Sequence, residues 1–178
     1  MAAKRYKKGF FIGRFQPFHL GHKYALEFVE PHVDELIIGI GSSNEAGTPL
    51  NPLDTAARME IIKEGLKDTK IDMRKVRFIE VPDFNNDEDW FNYIKGRHSD
   101  IEVVFSGNQW VQDIFKSKGM DVVVPPELRR DELSGTNVRL LINDNEKWEH
   151  LVPARAVDTL KRHRGRIKGH PTAAAKGK

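Results

Sequence analysis

Two hydrophobic periodicities alternate along the 178 residues, and this alternation constrains the fold more than any other feature. Residues 8–12 read as a short buried strand, after which Leu20, Phe28 and Val29 mark a helix that ends before Pro31. Residues 34–41 (DELIIGIG) form a near-continuous apolar run, the pattern of a strand covered on both faces. Asp54 stands where it caps a helix carrying Met59, Ile62 and Leu66 at helical spacing. Residues 76–81 read as a third strand stopped by Pro82, Trp90, Phe91 and Ile94 as a helix, and residues 101–105 as a fourth strand. Val111, Ile114 and Phe115 mark the next helix, and residues 122–124 a fifth strand before Pro125 and Pro126. Ser134 starts a helix with Val138, Leu141 and Ile142 inside, and a last helix begins near Pro153 with Val157 and Leu160.

Strand and helix thus alternate about five times, which predicts an α/β fold: a parallel sheet of about five strands flanked by helices on both faces. Ligands of such sheets bind beyond the carboxyl ends of the strands, so the loops at 13–18, 41–53, 82–89, 106–109 and 125–133 are the ones to search. No apolar run approaches the roughly 18 residues that span a bilayer. The basic segment 1–8 leads into only four apolar residues, too few for a secretory leader, so a cytosolic location is expected. With 39% hydrophobic and 31% charged residues the chain reads as a soluble globular protein of one domain. It has no cysteine, which excludes disulfides, thiolate catalysis and Cys-ligated zinc. The net charge of +3 comes from the end of the chain: residues 155–178 hold many cations and one acid, Asp158. Residues 164–178 mix Gly, Ala, Lys and Pro and are expected to be a disordered basic tail.

The chemistry concentrates in residues 13–22, GRFQPFHLGH, between the first strand and the first helix. Gly13 permits a tight turn and Pro17 stiffens the loop. His19 and His22 are three apart in the first helical turn and share a face. Gly21 between them lets a ligand approach the backbone. The free N–H groups of a helix start favour a phosphate, and two imidazoles and Arg14 add donors aimed at the same place.

This segment resembles the HxGH signature of the nucleotidyltransferase superfamily, and the form GRFQPFH resembles archaeal-type nicotinamide-nucleotide (NMN) adenylyltransferases in particular. Relatives that make FAD, coenzyme A or CDP-lipids usually carry a run closer to GTFD. The resemblance covers residues 10–153, and residues 1–163 are expected to form the nucleotidyltransferase domain. A second segment, Ser134-Gly135-Thr136-Asn137-Val138-Arg139, puts Thr136 and Arg139 on one helical face behind an N-cap serine. It resembles the family's [ST]-x-T-x-x-R signature, which holds the β- and γ-phosphates of ATP.

The resemblance implies a Rossmann-like domain, usually assembled as a homo-hexamer, that transfers AMP from ATP to NMN and releases NAD and pyrophosphate. It assigns catalysis to His19, His22, Arg14 and Arg139. ATP is expected against Gly13, Arg14, Phe15, Gln16, His19, Gly21, His22, Gly107, Asn108, Arg130, Ser134, Thr136, Asn137 and Arg139. NMN is expected against Phe15, Gly41, Ser42, Asp87 and Trp90, with Trp90 stacking on the cationic pyridine ring. For Asn108 an ordinary helix start is an equally good reading, and for Trp90 the alternative is core packing. No Asp/Glu cluster reads as a metal cage, so Mg²⁺ is expected to arrive on ATP. Where relatives often carry a basic residue just before Asn51-Pro52, this chain has Leu50.

Three other readings compete. The acceptor in the same reaction is nicotinate mononucleotide or FMN; or the chain is a sensor that binds ATP without turnover; or the basic tail, with Arg162, Arg164, Arg166 and Lys168, makes it a nucleic-acid-binding module. The last lacks an aromatic-interleaved patch and a helix-turn-helix signal, so no nucleic-acid partner is expected. Deleting residues 164–178 is expected to leave catalysis intact.

Overall fold

A computed structural model describes residues 5–170. The chain falls into two compact units that it threads alternately. The first takes residues 5–13, 25–44 and 70–127, and the second residues 14–24, 45–69 and 128–170.

The first unit is built on five parallel strands: β1 (Tyr6–Gly13), β2 (Val33–Gly41), β3 (Val76–Val81), β4 (Val103–Phe105) and β5 (Asp121–Val123). Their order is β3-β2-β1-β4-β5, so it reverses between β1 and β4. Register follows the side-chain alternation of a strand. Phe10 lies beside Ile37 and Val104, and these three face the helices α3 (Asp87–Arg97) and α4 (Gln109–Ser117). There they pack with Trp90, Ile94, Val111, Ile114 and Phe115. Phe11 lies beside Ile38 and Phe105 on the other face, and all three are buried as well. On that face the ring of His32 lies 4.8 Å from Phe28, near the end of α1 (Leu20–Val29), and 6.3 Å from Phe105. Burial on both faces is what the apolar run DELIIGIG requires, and each large side chain so covered contributes about 1.5–3 kcal/mol.

The second unit holds the start of α1 and the helices α2 (Thr55–Gly65), α5 (Gly135–Asn143) and α6 (Val157–Ile167). The Asp54 carboxylate caps α2 by accepting from the Ala57 N–H at 2.8 Å. It also pairs with Arg166 of α6 at 2.6 Å. Glu60 receives Arg162 at 2.7 Å and His163 at 2.8 Å, so α2 and α6 are tied on their outer sides as well as through Ile61, Ile62, Leu160 and Ile167 in the core. The exposed ion pairs are each worth under about 1 kcal/mol, and the apolar contacts dominate.

Two expectations change. The last helix starts at Val157, four residues after Pro153, because Ala154–Ala156 forms a separate 3-10 turn in between. The helix also runs through Arg164 to Ile167, past the expected start of the tail, because Ile167 is fully buried. A deletion from residue 164 therefore removes part of a core and does not isolate the tail; residues 171–178 lie outside the described residues. Among the described residues, no helix is long and apolar enough to cross a membrane.

Candidate active site

From Arg14 onward the first signature segment belongs to the second unit, and most of its polar groups are held by distant partners. Phe15 adopts a left-handed backbone, φ 51°, and the Gln16–Pro17 peptide is cis. The Gln16 side chain donates to the Leu53 carbonyl at 2.8 Å and accepts the Leu53 N–H at 3.0 Å. Gln16 was expected against ATP; with both ends of its amide engaged, its side chain serves as a strap between this loop and the start of α2. The carbonyl of Arg14 accepts from Arg58 of α2 at 2.9 Å, and the carbonyl of Gln16 accepts from Arg139 of α5 at 2.6 Å. Phe15 and Phe18 are buried with ring centroids 6.1 Å apart.

His19 and His22 meet as their spacing implies. Their ring centroids are 3.7 Å apart at an interplanar angle of 31°. The His22 ring also lies parallel to Phe18 at 5.7 Å and tilted against Phe15 at 4.8 Å. The His19 N–H donates to Nδ1 of His22 at 3.4 Å, which places the proton of a neutral His22 ring on Nε2 as a donor. A Cβ at Gly21 between them would stand 3.0 Å from the His19 ring, tighter than an ordinary contact. Burial pushes His19 down to about 4, and His22 is held well below the usual histidine range by burial first and then by the charge of His19. Two packed imidazoles whose pKa values are lowered in this way are neutral at pH 7 and take up a proton most easily when an anion arrives.

That electrostatic arrangement carries a pH dependence. A ring whose folded value lies below its unfolded value of about 6.5 leaves the fold at full stability above that pH and destabilises it as pH falls towards the folded value. For His19, only 7% exposed, the loss on going from pH 6.5 to below 4 amounts to roughly 3 kcal/mol. The melting temperature of the protein free of ligand is expected to be flat from pH 8 to 7 and to fall below pH 6.5. The double variant H19N/H22N is expected to lose most of that acid limb; identical limbs in the two proteins would place the titrating groups elsewhere.

The second signature segment opens α5. The Ser134 hydroxyl caps it by accepting the Asn137 N–H at 3.1 Å, and the Asn137 side chain donates to the Glu132 carbonyl at 2.9 Å. Both residues were expected against ATP, and here their side chains build the helix start. Thr136 is exposed, and its hydroxyl lies 3.4 Å from Arg139, one turn away. Arg139 is 3% exposed and its Nε has no hydrogen-bond partner among the described residues. Its pKa is lowered to about 10, by burial first and then by the charge of Arg14. Arg14 and Arg130 are exposed, while Arg129, φ 39°, pairs with Glu132 at 3.2 Å. Leu50, where relatives often carry a cation, is 58% exposed. Among the described residues, no group of three or more His, Asp or Glu gathers to hold a metal ion.

The other expected residues lie in the first unit. Gly13 closes β1 and Gly41 closes β2. The Ser42 hydroxyl donates to Asp83 at 3.1 Å. Asn108 caps α4, accepting from the Trp110 N–H at 2.9 Å while its own N–H goes to the Ser106 hydroxyl at 3.1 Å. The helix-start reading of Asn108 thus describes its side chain. Gly107 beside it is exposed. Trp90 is 4% exposed and packs edge-on to Phe115 at 5.8 Å, with Trp110 covering it at 4.8 Å. The Trp110 indole N–H donates to Asp87 at 3.0 Å. Trp90, on α3, is thus packed against two rings of α4.

Sequence reasoning missed Arg58 and Trp110. The signal for Arg58 was present: it shares a helical stripe with Ile61, Ile62 and Gly65, where a charge is out of place unless it is used. Nothing in the local pattern distinguished Trp110 from an exposed aromatic.

The cytidylyltransferase-like family profile matches residues 10–141 of this chain, both signature segments included. Over 159 residues the chain is 41% identical to the nicotinamide-nucleotide adenylyltransferase of Thermococcus kodakarensis, covering 89% of this chain and 85% of that one. The chain belongs to the nicotinamide-nucleotide adenylyltransferase family. The member from Pyrococcus furiosus is 42% identical over 160 residues, with 89% and 85% covered, and that from Saccharolobus solfataricus 40% over 146, with 82% and 85% covered. Among solved structures, a bifunctional NMN adenylyltransferase/ADP ribose pyrophosphatase from Francisella tularensis superposes with a TM-score of 0.80 at 18% identity. The match covers 94% of this chain and 53% of that one, about half its length. At that identity the likeness speaks for the fold of this family member and no further.

Proposed function

We propose that this protein transfers the adenylyl group of ATP to NMN, giving NAD and pyrophosphate. One observation carries the reading beyond family membership. Among the described residues, the buried side-chain nitrogens without a hydrogen-bond partner are Nδ1 of His19 and Nε of Arg139. They come from the two signature segments, in the same unit. A buried imidazole nitrogen and a guanidinium nitrogen left without a partner are costly, and a phosphate that arrives on binding supplies one.

In the reaction the 5′-phosphate oxygen of NMN attacks the α-phosphorus of ATP in line. The bond to the β-phosphate bridging oxygen breaks, and pyrophosphate leaves with its electron pair. A phosphate is already a nucleophile, so no serine or cysteine needs activation. The protein aligns the two nucleotides, worth about 7–11 kcal/mol, and neutralises charge on the leaving group. His19 and His22 are assigned to the α- and β-phosphate oxygens, and Arg14, Arg130 and Arg139 to the triphosphate. Gly41, Ser42, Asp87 and Trp90 are assigned to NMN. Mg²⁺ enters as part of the substrate, on the triphosphate oxygens, since the imidazole and guanidinium donors here suit the anion. A cytosolic homo-hexamer completes the proposal by resemblance to the family.

The test is incubation with ATP, Mg²⁺ and, separately, NMN, nicotinate mononucleotide or FMN, with products identified by mass. NAD and pyrophosphate in equal amounts from NMN are expected. A dinucleotide only from another acceptor would reassign the substrate, and no dinucleotide from any acceptor would remove the enzyme reading.

A further inference from the structure

The largest fully buried side chain of the described residues is a cation, Arg58 on α2. Its Nε donates to the Asp54 carbonyl at 3.3 Å, within the first turn of its own helix, and the guanidinium then reaches the Arg14 carbonyl at 2.9 Å. Two residues on, the Gln16 carbonyl is taken by Arg139 at 2.6 Å. The two carbonyls on either side of Phe15 thus both end on guanidinium groups, and Phe15 between them has the left-handed φ of 51°. The Gln16 amide fastens the same loop to Leu53, directly before α2.

Burying a guanidinium costs several kcal/mol, and an apolar residue of similar volume commonly replaces a buried charge without loss of stability. Packing alone therefore does not explain an arginine at this register. An electrostatic role does. A carbonyl oxygen left facing a triphosphate would repel it, whereas one turned onto a guanidinium is neutralised and presents a cation beneath the loop. We propose that Arg58 is a positioning residue for ATP, acting through the Arg14 carbonyl to set the phosphate-binding loop. The inference rests on the adenylyl-transfer reading above and assigns Arg58 no contact with the substrate.

The experiment is steady-state kinetics on the full chain for R58K and R58M, with the folded fraction of each taken from thermal unfolding. Loss of a charge-assisted hydrogen bond that shapes the ATP site is expected to raise the KM for ATP by about 10-fold in R58K, leaving the KM for NMN within about twofold. R58M, which also loses the charge, is expected to lose about 100-fold in kcat/KM for ATP. A merely structural role predicts the opposite split: both KM values unchanged and turnover reduced only in proportion to folded protein. That result overturns the proposal. If R58M does not fold, R58K decides; if neither folds, Arg58 is structural and the proposal falls. Wild-type protein that makes no NAD refutes the parent reading instead, whereas active wild-type with an unshifted KM for ATP in R58K refutes this one alone.

Discussion

Replacing His22 with alanine is expected to lower turnover by about 10²–10³-fold, the effect of removing one preorganised donor from a transition state whose charge it stabilises. The geometry explains why the donor is preorganised. The ring is fixed between His19 at 3.7 Å, Phe15 at 4.8 Å and Phe18 at 5.7 Å, so it does not have to be ordered when ATP binds. Its Nδ1 accepts the His19 N–H, which leaves Nε2–H as the group to meet a phosphate oxygen. Because burial keeps the ring neutral in the free protein, the favourable charge develops as negative charge gathers near it, which is when a catalyst needs it. The measurement is turnover per folded molecule at saturating ATP and NMN, with the melting temperature as control. Turnover close to that of the wild type would strip His22 of its role.

Adding one methyl group at Gly135 is the second change expected to have a large effect. A Cβ there would stand 2.7 Å from the Gln16 carbonyl oxygen and 3.3 Å from the Arg139 guanidinium. Neither neighbour gives easily, because they are bonded to each other at 2.6 Å and the Gln16 side chain is fixed to Leu53. Gly135→Ala is expected to destabilise by about 1–3 kcal/mol, the usual cost of overpacking, and to raise the KM for ATP by displacing the loop from its arginine. Gly107→Ala is the comparison. A Cβ at Gly107 meets only the Glu127 carboxylate, at 3.7 Å, so its melting temperature is expected to match the wild type. Equal melting temperatures and equal KM values for the two variants would show that the contact between Gly135 and Gln16 does not constrain the site.

The amino-acid sequence by itself determined whatever depends on neighbours within one or two turns. Strand and helix order followed from periodicity, and β3 begins and ends at the residues expected. Asp54 and Ser134 cap helices because a cap is made two or three residues away. The paired histidines likewise follow from a three-residue spacing at a helix start. Tertiary structure alone decided which polar groups are spent and which are left. Gln16 reaches Leu53, Arg58 reaches Arg14 and Arg139 reaches Gln16, across 37, 44 and 123 positions of chain. Periodicity fixes which face of an element a residue occupies; the partner found there depends on how the chain returns. For the same reason Trp90 is buried only because α4 brings Phe115 and Trp110 against it, and Ile167 extended the last helix only because there was a core for it to enter.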